Sequence, residues 1–126
     1  MLFDTFAWVE FFRGSKSGKK VAETLLKEKC FTSVISLGEL VEWCLKNNLE
    51  DKIEEYLNGI EKVSVILEVN KEIALLAGKI NNERKKKNKN WGMVDSIILA
   101  TAVFAGIKIL TGDIHFKDLE NVEFLQ

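Results

Sequence analysis

The segment MVDSIILATAVFAGIKILTGD, Met93 to Asp113, decides how this chain is read. From Met93 to Ala105 it is almost wholly apolar and long enough for a helix, and Gly106 supplies the residue type that ends one. Ile107 to Leu110 is then a short strand-like run. A helix apolar on nearly every side belongs inside a domain, packed against a sheet. Yet each end of the segment carries a carboxylate, Asp95 in the first turn of the helix and Asp113 just beyond the strand.

The same alternation extends toward both termini. Leu2-Phe3 begins a short strand, followed by a compact helix from Phe6 to Phe12 that Gly14 ends and a second helix from Ser17 to Lys29. Phe31 to Ile35 reads as a strand and Ser36 to about Asn47 as a helix. Leu49, Ile53, Leu57 and Ile60 mark one face of an amphipathic helix. Val63 to Leu67 returns to strand. Asn70 is placed to cap a long helix with apolar residues at 73, 76, 77 and 80, and Val122 to Leu125 is a last strand. Strands alternating with helices imply an α/β fold of three layers, a central, mostly parallel sheet with helices on both faces, because right-handed crossovers put the helices there. Residues 1–126 show no linker, repeat or low-complexity tract and form a single domain.

Composition narrows the function. With 18 basic and 19 acidic residues the net charge is −1, so any nucleic-acid contact is local and not a matter of overall charge. The one dense basic run, NNERKKKNKN from Asn81 to Asn90, reads first as a solvated helix end and loop, and secondly as a phosphate-contacting arm. Two cysteines, Cys30 and Cys44, and a single histidine, His115, cannot build a tetrahedral zinc site, and both thiols are expected to be buried. The N-terminus lacks the pattern of a signal peptide and no apolar stretch is long enough to span a membrane, which points to the cytoplasm.

The sharper signal lies in the aspartates. There are five, against fourteen glutamates, and Asp4, Asp95 and Asp113 sit within or directly after apolar runs. A carboxylate there is costly unless it is hydrogen-bonded, paired or bound to a cation. Asp4 and Asp113 each follow a strand, Asp95 opens the buried helix before a strand, and Glu39 lies early in the helix after the second strand. All four therefore face one edge of the sheet, where parallel α/β folds place their sites. Each also has a plain structural role open to it: Asp4 and Asp113 as N-caps, Asp95 against the helix dipole, and Ser36 with Glu39 as a capping box. Carboxylates held together raise one another's pKa or bind a cation, and an all-oxygen donor set suits Mg²⁺ or Mn²⁺.

These segments resemble the PIN-domain ribonucleases of the VapC toxin type. DTFAWVEFFRGS (Asp4 to Ser15) is similar to that family's opening motif, SVISLGELVEW (Ser33 to Trp43) to the segment bearing its glutamate, and WGMVDSIILATAVFAGIKILTGDIHFKDL (Trp91 to Leu119) to its buried helix and T-x-D turn. The short run before Asp4 and the glycine at position 92 depart from the pattern. The resemblance implies a PIN-like fold and places the family's acidic quartet on Asp4, Glu39, Asp95 and Asp113. These would hold one or two Mg²⁺ or Mn²⁺ ions and position a water for in-line attack on RNA, leaving 5′-phosphate and 3′-hydroxyl ends. Asp4 and Asp95 are then direct ligands, with Glu39 and Asp113 on a second ion or on the water, and Thr5 and Thr111 in support. His115 reads as a packing or phosphate contact and Asp118 as surface charge.

The resemblance further implies a VapB-type antitoxin over the acidic crevice and a homodimer. Trp8, Phe11, Phe12 and Trp43 lie on helices flanking that crevice and read first as core or dimer packing. Arg13, Lys16, Lys19 and Lys20, with the run from Arg84 to Lys89, are the basic residues expected to meet RNA. A solitary RNA-processing PIN nuclease and a catalytically silent PIN-like interaction module stand as alternatives. An aspartyl-phosphate enzyme fits poorly, because Asp4 lacks a second aspartate two residues on and no lysine follows the late strand.

Overall fold

Two residues form the central strand and seed two cores. Leu2 and Phe3 make β1 (Leu2–Phe3), and successive strand side chains leave opposite faces. Phe3 packs with Ala7, Trp8, Val21, Leu40 and Leu110, whereas Leu2 packs with Trp91, Ile98, Leu99, Ala102 and Ile109. The computed structural model describes residues 1–125. After β1 come α1 (Thr5–Arg13), α2 (Lys16–Lys27), β2 (Phe31–Ser33), α3 (Val34–Lys46), α4 (Ile53–Val63), β3 (Val65–Leu67), α5 (Lys71–Lys87), α6 (Met93–Ala105), β4 (Ile109–Thr111) and β5 (Val122–Phe124). Every strand pairing is parallel, in the order β3-β2-β1-β4-β5. Helices α1 to α4 cover the Phe3 face, and α5 and α6 cover the Leu2 face.

This order places a reversal of direction between β1 and β4, because the chain builds outward from β1 to β3 and then returns to the other side. Such a reversal opens a crevice at the carboxyl ends of the two strands. The Asp4 N–H donates to the Leu110 carbonyl at 3.3 Å, so the residue after β1 is stitched to β4 where that crevice begins.

Several boundaries differ from the sequence pattern, each for a local reason. The Ser33 hydroxyl accepts from the Ile35 N–H at 3.3 Å and starts α3 at Val34, ending β2 two residues early. The capping box expected at Ser36 and Glu39 is not formed: Ser36 is buried inside the helix and Glu39 bonds to Thr5. Gly106 takes φ 68° and the Ile107 N–H reaches back to the Ala102 carbonyl at 3.0 Å, a helix exit that delays β4 to Ile109. Helix α4 runs to Val63, so β3 begins at Val65. The basic run is a helix end followed by a connection, as the pattern suggests, but α5 stays helical to Lys87 and turns Asn81 and Arg84 inward where the pattern implies full solvation.

The flanking aromatics pack inward. Trp8 is buried, meets Phe11 edge-on at 5.6 Å and donates its indole N–H to Thr32, while Phe12 stacks on Tyr56 at 4.0 Å. Trp43 is half-buried against the same core. Cys30 and Cys44 are free, buried thiols.

Candidate active site

Asp4 stands where β1 becomes α1. Its side chain caps the helix, with Oδ1 accepting from the Ala7 N–H at 2.9 Å, and only 4% of the residue is exposed. Burial pushes its carboxyl up to about 7, with Asp113 and Glu39 adding repulsion against the downward pull of the Thr111 hydroxyl and the Ala7 N–H. Thr111 ends β4 and is buried; its hydroxyl also accepts from the Asp113 N–H at 3.0 Å. One threonine thus ties the acid after β1 to the acid after β4.

The other acids approach from separate segments. Asp113 caps the single turn Ile114–Phe116, with Oδ1 accepting from the His115 N–H at 2.9 Å and lying 3.2 Å from His115 Nδ1. Asp95 opens α6, and its Oδ2 accepts from the Gly92 N–H at 3.0 Å. Glu39, one turn into α3, takes a 2.5 Å hydrogen bond from the Thr5 hydroxyl, a residue 34 positions away. Burial raises the carboxyls of both Asp95 and Glu39. Asp113 adds to the rise at Asp95, and Asp95, Glu42 and Asp113 add to it at Glu39. Asp4, Glu39 and Asp95 therefore each feel the charge of acids distant in sequence. Among the described residues, Asp4, Glu39 and Asp95 have no ion-pair partner.

A groove of about 420 Å³ between α1 and α3 opens beside Glu39 and is lined by Thr5, Phe6, Val9 and Trp43. The Phe6 ring covers Gly112 so closely that a Cβ there would lie 2.3 Å from its edge. A larger cavity of about 570 Å³ at Gly106, Lys108 and Asn121 lies at the amino ends of β4 and β5, at the far end of the sheet from the acids.

The remaining predicted site residues are spread more widely. Arg13 is paired with Glu10 at 2.8 Å. Lys16, Lys19 and Lys20 are exposed on α2, and Lys20 shares a groove with Glu23, Glu28 and Glu123. Among the basic side chains, His115 and Lys85 act on Asp95 in the downward direction. Asp118 joins no acid cluster, because Arg84 grips its carboxylate at 2.8 and 3.0 Å and holds it below the usual range. Sequence reasoning places Arg84 only within a basic run and misses its clamp, because its partners lie 31 and 34 positions away and the surrounding lysines make it look like one more solvated charge.

A family model described as PIN domain matches residues 1–122. The chain belongs to the PIN-domain family. The solved structures it resembles include a toxin–antitoxin complex from Klebsiella pneumoniae, with 24% identity and a TM-score of 0.76 over 97% of this PIN domain and 94% of that chain. VapBC2 from Rickettsia felis, solved bound to a promoter DNA fragment, gives 19% and 0.79 over 99% and 98%. VapC20 of Mycobacterium tuberculosis, described as a sarcin-ricin loop cleaving toxin, gives 17% and 0.81 over 99% and 98%. At these identities the likeness is one of fold. No curated protein matches the chain.

The donor chemistry of this PIN domain fits a hard divalent cation, since its four carboxylates repel one another and three lack a neutralising partner. As the side chains stand, no three His, Cys, Asp or Glu among the described residues are grouped to hold an ion. The hydrogen bonds explain why: each of the four acids has one oxygen turned onto a nearby donor, from Ala7, Thr5, Gly92 or His115. Ion binding would use the second oxygens or rotate the side chains. No helix among the described residues is long and apolar enough to cross a membrane.

Proposed function

We propose that this PIN domain is a metal-dependent endoribonuclease, the toxin of a VapBC-type pair. The reading rests on Asp4, Glu39, Asp95 and Asp113, which come from four separate segments and of which three are raised by burial and by the charge of others in the set. A structural cap needs no like-charged neighbours, and keeping several such groups without cations costs stability. A nuclease gains from the arrangement because Mg²⁺ or Mn²⁺ bound there would neutralise phosphate charge and supply an activated water. The fold shared with toxin–antitoxin complexes, and with a toxin described as cleaving the sarcin-ricin loop, supports the same reading.

In this mechanism Asp4 and Asp95 would hold the ion, and Glu39 and Asp113 would hold a second ion or orient the water that attacks an RNA phosphodiester. Thr5 keeps Glu39 aimed at the crevice, and Thr111 fixes Asp4 relative to Asp113. Burial at Asp4 excludes water from one side of the site, which strengthens every charge interaction there. The groove beside Glu39, where Phe6, Val9 and Trp43 lie among Glu10, Glu42 and Lys46, offers a VapB-type antitoxin a seat of mixed apolar and charged character that would block access to the acids. A homodimer would bring two such sites into one particle.

The test is Mn²⁺-dependent cleavage of a structured RNA pool by the wild type and by Asp95→Asn, with folding checked by circular dichroism. Asn can still accept from the Gly92 N–H, so the fold should survive while cleavage is lost. Equal cleavage by both proteins would overturn the role of Asp95. Cleavage by neither would favour a silent interaction module. A gene for a small DNA-binding antitoxin beside this one supports the toxin role, and its absence favours a solitary RNA-processing nuclease.

A further inference from the structure

The last turns of α5 are fastened to the acidic site. The Arg84 guanidinium lies 4.4 Å from the Trp91 ring centroid, donates to the His115 carbonyl at 2.5 Å and grips Asp118 with two bonds. One turn earlier, Asn81 Oδ1 accepts from the Ser96 hydroxyl at 3.1 Å, and that hydroxyl accepts the Trp91 indole N–H at 2.7 Å. Ser96 directly follows Asp95, and the His115 N–H is the donor that Asp113 caps. The end of α5 is thereby pinned to both segments that carry those acids.

Helix geometry decides where the neighbouring lysines go. Successive residues turn by about 100°, so Lys85 and Lys87 leave the helix on either side of the inward Arg84, and Lys86 leaves on the outer face. Lys86 indeed pairs with Glu83 at 3.2 Å. Lys85 is among the cations felt by Asp95, and Lys87 among those felt by Asp118. Lys89 follows in the exposed connection to Trp91. Among the described residues, none of Lys85, Lys87 and Lys89 has an acid at ion-pair distance. The helix dipole favours cations in the final turn, but Lys89 lies beyond it and the clamp on Arg84 is more than the dipole requires.

We propose that Lys85, Lys87 and Lys89 form a rigid arm that takes the phosphate backbone of single-stranded RNA as it runs past the acid crevice. This rests on the nuclease reading above. Four carboxylates repel a polyanion, so a substrate reaches them only if cations are held alongside. The pinned Arg84 fixes the backbone that carries Lys85 and Lys87, with Lys89 in the connection just after it, so placing these lysines beside the acids costs less entropy than ordering a free tail. The competing surface is α2, with Lys16, Lys19 and Lys20, where Lys20 is already faced by glutamates.

The arm is tested by binding of a fluorescein-labelled oligouridylate in EDTA, where no cleavage intervenes, across a series of NaCl concentrations. Each single-strand phosphate contact contributes about 0.7 to the slope of log K against log salt, so replacing Lys85, Lys87 and Lys89 together by Gln should flatten the slope by about 2. Between about 50 and 200 mM salt that is roughly a 16-fold difference in salt sensitivity. Replacing Lys16, Lys19 and Lys20 by Gln should flatten the slope less. An unchanged slope for the α5 variant, a loss confined to the α2 variant, or no binding by the wild type overturns the arm. Binding with the predicted slopes but no Mn²⁺-dependent cleavage would overturn the nuclease reading and leave the arm standing as an RNA-binding surface.

Discussion

Replacing Asp4 by Asn tests the electrostatics of the site while keeping its geometry. Asn retains a side-chain oxygen to accept from the Ala7 N–H, so α1 stays capped. What disappears is the ionisable group. Asp4 titrates at about 7 in the folded chain, chiefly through burial, against an ordinary value of 3.8. Below 3.8 the carboxyl is protonated in both folded and unfolded chains. Between 3.8 and about 7 the unfolded chain gives up the proton and the folded chain keeps it, so stability falls as pH rises and the loss is complete above about 7. At about 1.4 kcal/mol per pH unit of that window, the full loss is about 4 kcal/mol for this one group. For a chain of this size that corresponds to roughly 10–15 °C in Tm. Thermal unfolding followed by circular dichroism in EDTA should therefore show the wild type losing stability from about pH 4 to about pH 7. Asp4→Asn should give a flatter profile and be the more stable protein at the alkaline end. Mn²⁺ added at that end should raise the wild-type Tm and leave the variant unmoved. Parallel profiles for the two proteins, or a variant less stable at high pH, would refute the reasoning.

Other expectations follow from single contacts. Thr5→Val removes the hydrogen bond that pulls Glu39 down, so the Glu39 carboxyl should rise further and the acid limb of a kcat/KM pH profile should move to higher pH; an unshifted limb would separate Glu39 from the reaction. Gly18→Ala would put a Cβ 2.0 Å from the Glu10 carbonyl oxygen, where only backbone movement gives relief, and should cost at least about 3 kcal/mol in urea unfolding. Gly59→Ala, with open space around it in α4, should instead stabilise by up to about 1 kcal/mol, and equal effects at the two sites would contradict the α1–α2 contact. Arg84→Met should let the Asp118 carboxyl return upward toward its ordinary value in an NMR titration, and an unchanged titration would deny the pair.

Much of the fold is visible in local pattern because its causes are local. Apolar runs broken by glycine and by capping side chains mark strands and helices from neighbouring residues alone, and an aspartate directly after a strand is conspicuous wherever it occurs. Asp4 and Asp113 stand out for that reason and Asp95 because it interrupts an apolar helix, and parallel topology sends the ends of β1 and β4 to one edge whatever the details of packing.

The rest depends on competition between distant partners. Ser33 and Ser36 are both plausible helix starts; Ser33 prevails, and Glu39 is left free for a hydroxyl 34 positions away. Arg84 sits in a run of lysines, yet it is half-buried because Trp91, His115 and Asp118 converge on it only after α5 packs against α6. By itself the sequence determined the alternation of elements and which acids lie at their ends, since backbone propensity and burial act over a few residues. Only the tertiary structure decided which of those acids repel one another and which lysines are held beside them, because charges and hydrogen bonds act through space between segments the chain keeps far apart.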